Sequence, residues 1–437
     1  MAKNVHEIRD PIHNFIRLDS NERNVLDSRP FQRLRYIHQL GLTYLLYPGA
    51  THRRFEHSLG VMELASRVYD VISNPANIIH DTVRDEVPPF DSFNHKYWRR
   101  VLRMAALCHD IGHLPFSHAA EKELLPEGWN HERITLEIIR SAEMESIWKE
   151  IKITSDDVAK LAVGPKYLRD SYFSNWEAIL SEIITGNSFG VDRMDYLLRD
   201  SHHAGVAYGK FDHYRLIDTL RILPKEEDGS IEPVLGIEEG GLHSAESLLL
   251  ARYFMYTQLY FHSIRRIYDI HLQDFLKEWL PEGYFPTALL DHLQLNDNTI
   301  LTELFKAADD VTLNGHDPAR RIVNREHFKL LYQRNPRDVN INPDSAKAVY
   351  KAACDKFGVN NVRKDSYKQG GNGHEFPVIT EDNQILSSLE LSDMLKNVPI
   401  VAVDYIFINP ELYPDAEKWK MKNIQTIILL KKEENHG

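Results

Sequence analysis

The densest concentration of metal-ligating side chains follows an apolar segment in the first third of the chain. Residues 107–113 read LCHDIGH, so His109, Asp110 and His113 come directly after a predicted buried helix, and His118 lies five residues further on. Several imidazoles and a carboxylate at the end of a buried helix are costly unless something binds them. Together they suit a divalent metal ion, because each offers a lone pair and the carboxylate offsets charge. This segment therefore predicts a metal centre.

Two other segments supply further candidate ligands. Residues 53–60 read RRFEHSLG and contribute His57, and residues 192–200 read DRMDYLLRD and contribute Asp192. The predicted ligand set is His57, His109, Asp110 and Asp192. Two imidazoles and two carboxylates admit Mg, Mn, Fe, Ni, Co or Zn, so the identity of the metal stays open.

The order H, HD, D is the signature of the HD phosphohydrolase superfamily, which the sequence resembles. The motifs DPIH (10–13), FQRLRYI (31–37), QLG (39–41) and YPGA (47–50) narrow the resemblance to the HD-domain dNTP triphosphohydrolases. These are bacterial enzymes related to the human sterile-alpha-motif and HD-domain dNTPase. The likeness covers roughly residues 5–275, and we expect no sterile-alpha-motif domain ahead of it. It implies hydrolysis of a deoxynucleoside triphosphate (dNTP) to deoxynucleoside and intact triphosphate, with a divalent metal as cofactor.

The resemblance also implies catalytic roles around the metal. Arg54 contacts the phosphate nearest the metal, and His113 is a second candidate for phosphate contact. His118 is the proton donor to the leaving 5′ oxygen, a task that suits histidine because its unperturbed pKa lies near working pH. Glu121 and His131 stand where the family places an acid and a histidine that support this donor.

Substrate contacts are predicted on two helices. Asp192, Tyr196 and Asp200 are spaced four apart and share one helix face. The resemblance implies that Asp200 accepts the 3′-hydroxyl, and that Tyr260 packs where a ribose 2′-hydroxyl would clash. The full predicted substrate site is Gln39, Leu40, Arg193, Tyr196, Asp200, Tyr256 and Tyr260. Ser263 replaces a lysine of the human relative, which removes one cation from the triphosphate site.

The first 54 residues carry unusual positive charge. Between Arg9 and Arg54 there are eight arginines, no lysine and four acids. Arginine without lysine favours bidentate recognition of phosphate or carboxylate, although a solvated, ion-paired surface is the alternative interpretation. By resemblance, Asp27, Gln32 and Arg35 form part of an allosteric nucleotide site at subunit contacts. This implies activation by GTP or a dNTP and a homotetramer built as a dimer of dimers.

The surrounding pattern predicts a mainly α fold, with a helical HD core and a smaller mixed α/β C-terminal appendage. We divide the chain into an N-terminal interface segment (1–52), an HD phosphohydrolase core (53–280) and the appendage (281–437). Helices are predicted at 131–140, 177–200, 243–277, 296–309 and 343–357, and strands at 400–403 and 424–430.

Composition excludes several classes of protein. The 437 residues include 52 Lys+Arg and 64 Asp+Glu, a net charge of −12, with 43% hydrophobic residues. This balance excludes collagen-like, disordered and coiled-coil chains, and the acidic total argues against charge-driven binding of nucleic acid.

Two cysteines form no disulfide framework, which predicts a reducing cytoplasm. The polar start resembles no signal peptide, and no apolar run reaches the 18 residues of a membrane span, so no membrane partner is expected.

Two alternatives to the dNTP hydrolase remain. One is an HD hydrolase of another phosphoester, such as a nucleoside monophosphate, a cyclic dinucleotide or a guanosine alarmone. The other is a non-catalytic nucleotide-sensing regulator. Gln39, Asp200 and Tyr260 match deoxyribose-selecting positions and disfavour the first, whereas retention of His118 and the metal ligands disfavours the second.

Overall fold

Two compact units make up the part of the chain that the structure, a computed structural model, describes: residues 5–117, 121, 123–227, 230–368 and 375–429. Within these residues the first unit comprises 5–255, 285–299 and 375–398. The second unit comprises 256–284, 300–368 and 399–429. Each unit therefore contains segments that are distant in sequence.

Helices dominate the structure, and the predicted mainly α fold is confirmed. In chain order the α-helices are Ser20–Leu26, Arg29–Gln32, Arg54–Ile72, Asp81–Arg84, Phe93–Cys108, His131–Ile139, Ala142–Ile151, Ser155–Val163, Asn175–Thr185, Val191–Ala204, His213–Asp218, Leu242–Met255, Ser263–Trp279, Leu289–Gln294, Asp297–Asp309, His316–Val323, Pro336–Ile341, Ser345–Phe357, Ser388–Leu391, Asp393–Asn397 and Tyr413–Leu429. Within the described residues, none is long and apolar enough to cross a membrane.

Strands form three small sheets. β1 (Val5–Asp10) and β2 (Asn14–Asp19) make an antiparallel hairpin in the first unit, with Val5 opposite Asp19. The other strands are β3 (Leu220–Glu227), β4 (Ser230–Glu238), β5 (Lys329–Gln333), β6 (Val362–Lys368), β7 (Pro377–Ile379), β8 (Ile385–Ser387) and β9 (Ala402–Ile408). In the first unit, four of them form a sheet of order β3-β4-β7-β8, in which β4 and β7 are parallel and the other neighbours are antiparallel. The second unit has an antiparallel sheet of order β5-β9-β6.

Three helices of the first unit position the predicted metal ligands: two carry His57 and Asp192, and the third ends directly before His109 and Asp110. The His57 helix (Arg54–Ile72) starts where Glu56 accepts the backbone N–H of Arg53 at 2.8 Å, which satisfies one donor at the helix start. The His109 helix (Phe93–Cys108) is buried from its midpoint onward, as its apolar run predicts. The Asp192 helix (Val191–Ala204) follows Gly190. Burial of all three helices makes their ligand-bearing ends part of one rigid core.

Two of the long predicted helices are interrupted. The span 177–200 contains Asn175–Thr185 and the separate Asp192 helix. At Gly186 a Cβ would lie 2.4 Å from the carbonyl oxygen of Glu182, so the chain turns at a glycine. The span 243–277 contains Leu242–Met255, a π-helical turn at Tyr256–Tyr260, and Ser263–Trp279. Apolar periodicity alone does not reveal either break.

The predicted strand at 424–430 is wrong, because helix Tyr413–Leu429 covers its described residues. Ile424 and Ile427 are three residues apart and pack on the core of the second unit together with Trp419. This is helical spacing, which a short run of β-branched residues conceals. The predicted strand at 400–403 overlaps β9, which begins at Ala402 and continues to Ile408.

Candidate active site

The four predicted metal ligands meet at one point in the first unit. Nε2 of His57 lies 3.0 Å from Oδ1 of Asp192 and 3.7 Å from Oδ2 of Asp110. Nε2 of His109 lies 3.5 Å from both carboxylates. Ligands separated by more than 130 residues therefore form one cluster of two imidazoles and two carboxylates.

The donor set fits a divalent metal ion. His57, His109 and Asp110 are buried, and their ligand atoms lie within 4.8 Å of one another. Nδ1 of His109 donates to the carbonyl of Ala106 at 2.8 Å, which directs the lone pair of Nε2 into the cluster. That Nε2 is buried and has no hydrogen-bond partner among the described residues. Buried polar atoms are normally satisfied, so an ion is the natural partner.

Asp195 contacts the candidate site and was not among the residues predicted from the sequence. Its Oδ2 accepts a hydrogen bond from Nδ1 of His57 at 2.8 Å, on the other side of the ring from Asp192. A carboxylate on the second ring nitrogen fixes the histidine tautomer and makes it a better ligand. The available signal was the spacing of Asp192 and Asp195, three residues apart and so on one helix face.

Charge in the cluster is set by these contacts. Burial disfavours protonation of His57, but the carboxylates of Asp192 and Asp195 on its two nitrogens raise its pKa to about 10. Burial likewise opposes ionisation of Asp110, but Arg54, together with the histidines around it, keeps the pKa of that carboxyl well below its usual range. The carboxylates are therefore ionised at neutral pH, and a bound divalent ion would take the place of the proton on Nε2 of His57.

Arg54 lies against the metal ligands. Its guanidinium forms a close ion pair with Asp110 through Nη1, and its Nε donates to Oγ of Ser117 at 2.8 Å. The side chain is buried. Arg54 thus brings a fixed positive charge to the rim of the cluster, where an anionic group bound by the metal would need it.

A pair of stacked histidines borders Asp110. The rings of His113 and His131 are 4.1 Å apart and nearly parallel, and Nε2 of His113 lies 3.3 Å from Asp110. Burial and the nearby Arg54 lower the pKa of His113 well below its usual range. Burial also disfavours the charged form of His131, but Glu121, bonded to Nδ1 at 2.5 Å, raises its pKa.

The predicted proton donor, His118, lies outside the described residues. The structure does bring together the other predicted catalytic residues: Arg54, His113 and His131 surround Asp110, and Glu121 bonds His131. A stacked pair with one neutral and one more basic imidazole beside an arginine can bind phosphate oxygens and can accept or donate protons.

The predicted sugar contacts of the first unit are largely buried. Nε2 of His52 donates to Oδ1 of Asp200 at 2.7 Å, so this carboxylate already has a histidine partner. Gln39 and Leu40 are buried, and Oε1 of Gln39 has no hydrogen-bond partner among the described residues. Tyr196 is half-buried on the Asp192 helix, one turn beyond the ligand.

Arg193 and the two later tyrosines have different surroundings. The guanidinium of Arg193 donates to the carbonyls of Gly186 and Asn187. Tyr256 and Tyr260 belong to the second unit, where they are the first and last residues of the π-helical turn. Their rings pack edge to face, with centroids 5.1 Å apart. π-Helical turns are rare and frequently mark functional positions.

Two of the three predicted effector residues, Gln32 and Arg35, contact each other in the N-terminal segment. Asp27 is exposed and pairs with Arg23 at 3.0 Å. Nε of Arg35 donates to Oε1 of Gln32 at 2.8 Å, and its guanidinium stacks on the ring of Phe55 at 3.5 Å.

Two regions of the chain match known protein families. Residues 54–170 match the HD domain, and residues 211–363 match the HD associated region. The deoxynucleoside triphosphate triphosphohydrolase SAMHD1 of Gallus gallus is 29% identical over 371 residues, 76% of this chain and 57% of that protein. The chain therefore spans little more than half the length of this relative.

Two solved structures resemble nearly the whole chain. A hypothetical protein from Aquifex aeolicus has a TM-score of 0.76 and 32% identity, covering 95% of this chain and 99% of that one. A phosphohydrolase from Bacteroides thetaiotaomicron has a TM-score of 0.69 and 26% identity, covering 92% and 99%. With its HD domain, HD associated region and metal-ligand cluster, the chain belongs to the HD-domain phosphohydrolase family.

Proposed function

We propose that the protein hydrolyses deoxynucleoside triphosphates to a deoxynucleoside and intact triphosphate. The observation that carries the proposal is the cluster of His57, His109, Asp110 and Asp192 with Arg54 and the stacked histidine pair at its border. Metal, arginine and imidazole together suit a substrate with several phosphates. Similarity to SAMHD1 of Gallus gallus supports the choice of a dNTP among such substrates.

The reaction divides among the groups of the site. Water attacks the α-phosphorus, the bond from phosphorus to the 5′ oxygen breaks, and that oxygen takes a proton. His57, His109, Asp110 and Asp192 would hold a divalent ion, which would supply Lewis-acid stabilisation of the α-phosphate and lower the pKa of water. Arg54 neutralises charge on the phosphate oxygens and the neutral His113 contacts them by hydrogen bonding, and both roles need groups that are already in place. His118 donates the proton, and His131 with Glu121 supports it.

Sugar selection is assigned to the residues that the family resemblance indicates. Asp200 accepts the 3′-hydroxyl, Gln39 and Leu40 contact the sugar and base edge, and Tyr260 excludes a ribose 2′-hydroxyl by its bulk. Arg193, Tyr196 and Tyr256 complete the proposed substrate site. The unpartnered Oε1 of Gln39 supports this assignment, since it leaves a buried acceptor for a ligand.

Regulation and assembly are proposed from the same resemblance. We infer that GTP or a dNTP activates the enzyme at a site containing Asp27, Gln32 and Arg35, and that the active form is a homotetramer. We also propose a cytoplasmic location, because Cys108 and Cys354 are both free thiols.

One experiment tests the activity. Protein loaded in turn with Mg²⁺, Mn²⁺, Fe²⁺, Ni²⁺, Co²⁺ or Zn²⁺ is incubated with each dNTP, with and without GTP, and the products are separated by ion-exchange chromatography. Deoxynucleoside with intact triphosphate is the expected result. Release of phosphate or pyrophosphate would indicate an HD hydrolase of another phosphoester. Binding without turnover under all these conditions would indicate a nucleotide-sensing regulator.

A further inference from the structure

A buried chain of hydrogen bonds connects the N-terminal hairpin to the metal ligand His57. It starts at Asp10, the last residue of β1, whose Oδ1 accepts the backbone N–H groups of Ile12 and His13 at 2.9 and 2.8 Å. Oδ2 of Asp10 accepts from Nη1 of Arg199 at 2.8 Å. One carboxylate thus shapes the turn between β1 and β2 and ties it to the Asp192 helix.

Asp195 receives the next links. Nε and Nη2 of Arg199 donate to Oδ2 and Oδ1 of Asp195 at 2.8 and 2.9 Å, and Nε2 of His13 donates to Oδ1 at 2.7 Å. The fourth donor is Nδ1 of His57. A carboxylate with two oxygens and four donors has its orientation fully determined. The face that Asp195 presents to His57 is therefore set in part by the hairpin turn.

This arrangement leaves almost no room for adjustment. The side chains of Asp195, Arg199 and His13 are fully enclosed. At Gly60, one turn beyond His57, a Cβ would lie 1.9 Å from Oδ1 of Asp195 and 2.4 Å from Nη2 of Arg199. Only glycine lets the His57 helix approach the carboxylate this closely.

Asp195 is the hydrogen-bond partner of the His13 side chain. Nδ1 of His13 is buried and has no hydrogen-bond partner among the described residues. The network also places two carboxylates, Asp10 and Asp195, against one guanidinium, so an excess negative charge lies behind His57. Negative charge on that side of the imidazole strengthens its bond to a cation on the other side.

We propose that the Asp10–His13 turn is a positioning element of the metal centre, so that folding of the N-terminal hairpin and binding of a divalent cation at His57 stabilise each other. The proposal rests on the metal centre of the proposed function and not on its substrate. Coupling of this kind is reciprocal. A variant that destabilises the turn lowers the affinity for the metal ion, and binding of the metal ion stabilises the turn.

The first test measures Mn²⁺ affinity of the full chain by isothermal titration calorimetry at constant pH. Loss of an outer carboxylate or its support typically costs 10- to 100-fold in metal affinity. We expect D195N to weaken Mn²⁺ binding by about this factor and H13A by about tenfold. H13Q keeps a side-chain donor and should recover most of the loss.

The matched control is D365N. Asp365 is also a buried carboxylate held by two bonds from an arginine, Arg266, but it belongs to the second unit and is not part of the network that links the hairpin to His57. The Mn²⁺ affinity of D365N should stay within about twofold of the wild type. An H13A protein that binds Mn²⁺ as tightly as the wild type would overturn the proposal, and so would an equal loss in D365N.

The second test is made on the wild-type protein, so it does not require the His13 variants to fold. Amide hydrogen exchange of residues 5–19 is compared in the wild type with and without Mn²⁺. We expect Mn²⁺ to slow exchange in the turn several-fold in the wild type and not in D195N. Unchanged exchange in the wild type, or no Mn²⁺ binding at all, would overturn the proposal. Tight Mn²⁺ binding and slowed exchange without dNTP hydrolysis would leave it standing while the proposed activity fails.

Discussion

The carboxylate of Asp297 accepts a hydrogen bond from the backbone N–H of Phe116 at 2.8 Å, across 181 residues of sequence. Its other oxygen accepts the backbone N–H and Nδ1 of His38 at 2.7 and 2.6 Å. Phe116 and Ser117 both have left-handed backbone angles (φ 58° and 59°), which non-glycine residues rarely adopt. Because Ser117 bonds Arg54, one buried carboxylate supports the strained turn beside the metal cluster.

Replacing Asp297 by alanine should therefore affect both stability and catalysis. Two backbone donors and one imidazole lose their buried partner, and we expect a loss of about 2–4 kcal/mol in the free energy of unfolding. Urea denaturation measures this loss, and dNTP turnover should fall as Arg54 loses its support. D81A, at a fully exposed carboxylate, is the control and should stay within about 0.5 kcal/mol. Equal stability of the two variants would contradict the role of Asp297.

Asp192→Ala should abolish both metal retention and activity. It removes a carboxylate that lies within 3.5 Å of Nε2 of both His57 and His109. Metal content after dialysis, measured by mass spectrometry, should fall to background, and turnover should drop by roughly three orders of magnitude or more, the scale of metal-ion catalysis. D156A, at an exposed carboxylate, should retain both. Full turnover by D192A would refute the ligand assignment.

Tyr260→Ala should weaken discrimination against ribonucleotides. If the buried ring of Tyr260 excludes the 2′-hydroxyl, its removal should lower the ratio of kcat/KM for a dNTP to that for the matching ribonucleotide by about tenfold. Competition assays with the two nucleotides measure the ratio directly. Y350F, a change in another tyrosine of the second unit, should leave it unchanged. Unaltered selectivity of Y260A would remove Tyr260 from the sugar site.

Acidification should destabilise the second unit through His271. Burial, reinforced by Arg321 and Arg363, lowers the pKa of this histidine to about 3, and its Nε2 accepts the backbone N–H of Phe328 at 3.2 Å. An unfolded histidine titrates near pH 6.5, so below this pH the unfolded chain binds a proton that the folded unit excludes. The contribution of neutral His271 to the free energy of unfolding is therefore complete above about pH 6.5 and is lost as the pH falls toward 3.

The expected loss from this one group is about 2 kcal/mol between pH 6.5 and 5, at roughly 1.4 kcal/mol per pH unit. H271Q keeps an acceptor for Phe328 but does not titrate, so its free energy of unfolding should depend less steeply on pH. Urea denaturation at pH 5, 6 and 7 gives the comparison. H243Q, at an almost fully exposed histidine, should follow the wild type. Parallel curves for H271Q and the wild type would contradict the assignment.

Local pattern was sufficient for part of the fold. Helices predicted at 131–140, 296–309 and 343–357 are present as His131–Ile139, Asp297–Asp309 and Ser345–Phe357. Apolar periodicity is a property of neighbouring residues and survives in any tertiary context. It did not identify the helix that covers Ile424 and Ile427, where side-chain type and spacing point to different elements.

The sequence alone determined which residue types could hold a metal and the order in which they occur, because ligand chemistry belongs to single side chains and helical spacing to short segments. Only the tertiary structure decided how the two faces of His57 are used, with Asp192 on Nε2 and Asp195 on Nδ1. It also decided that a turn at His13 and a carboxylate at Asp297 support the cluster. These contacts join residues that no local pattern relates, since buried charges find their partners through chain folding rather than sequence proximity.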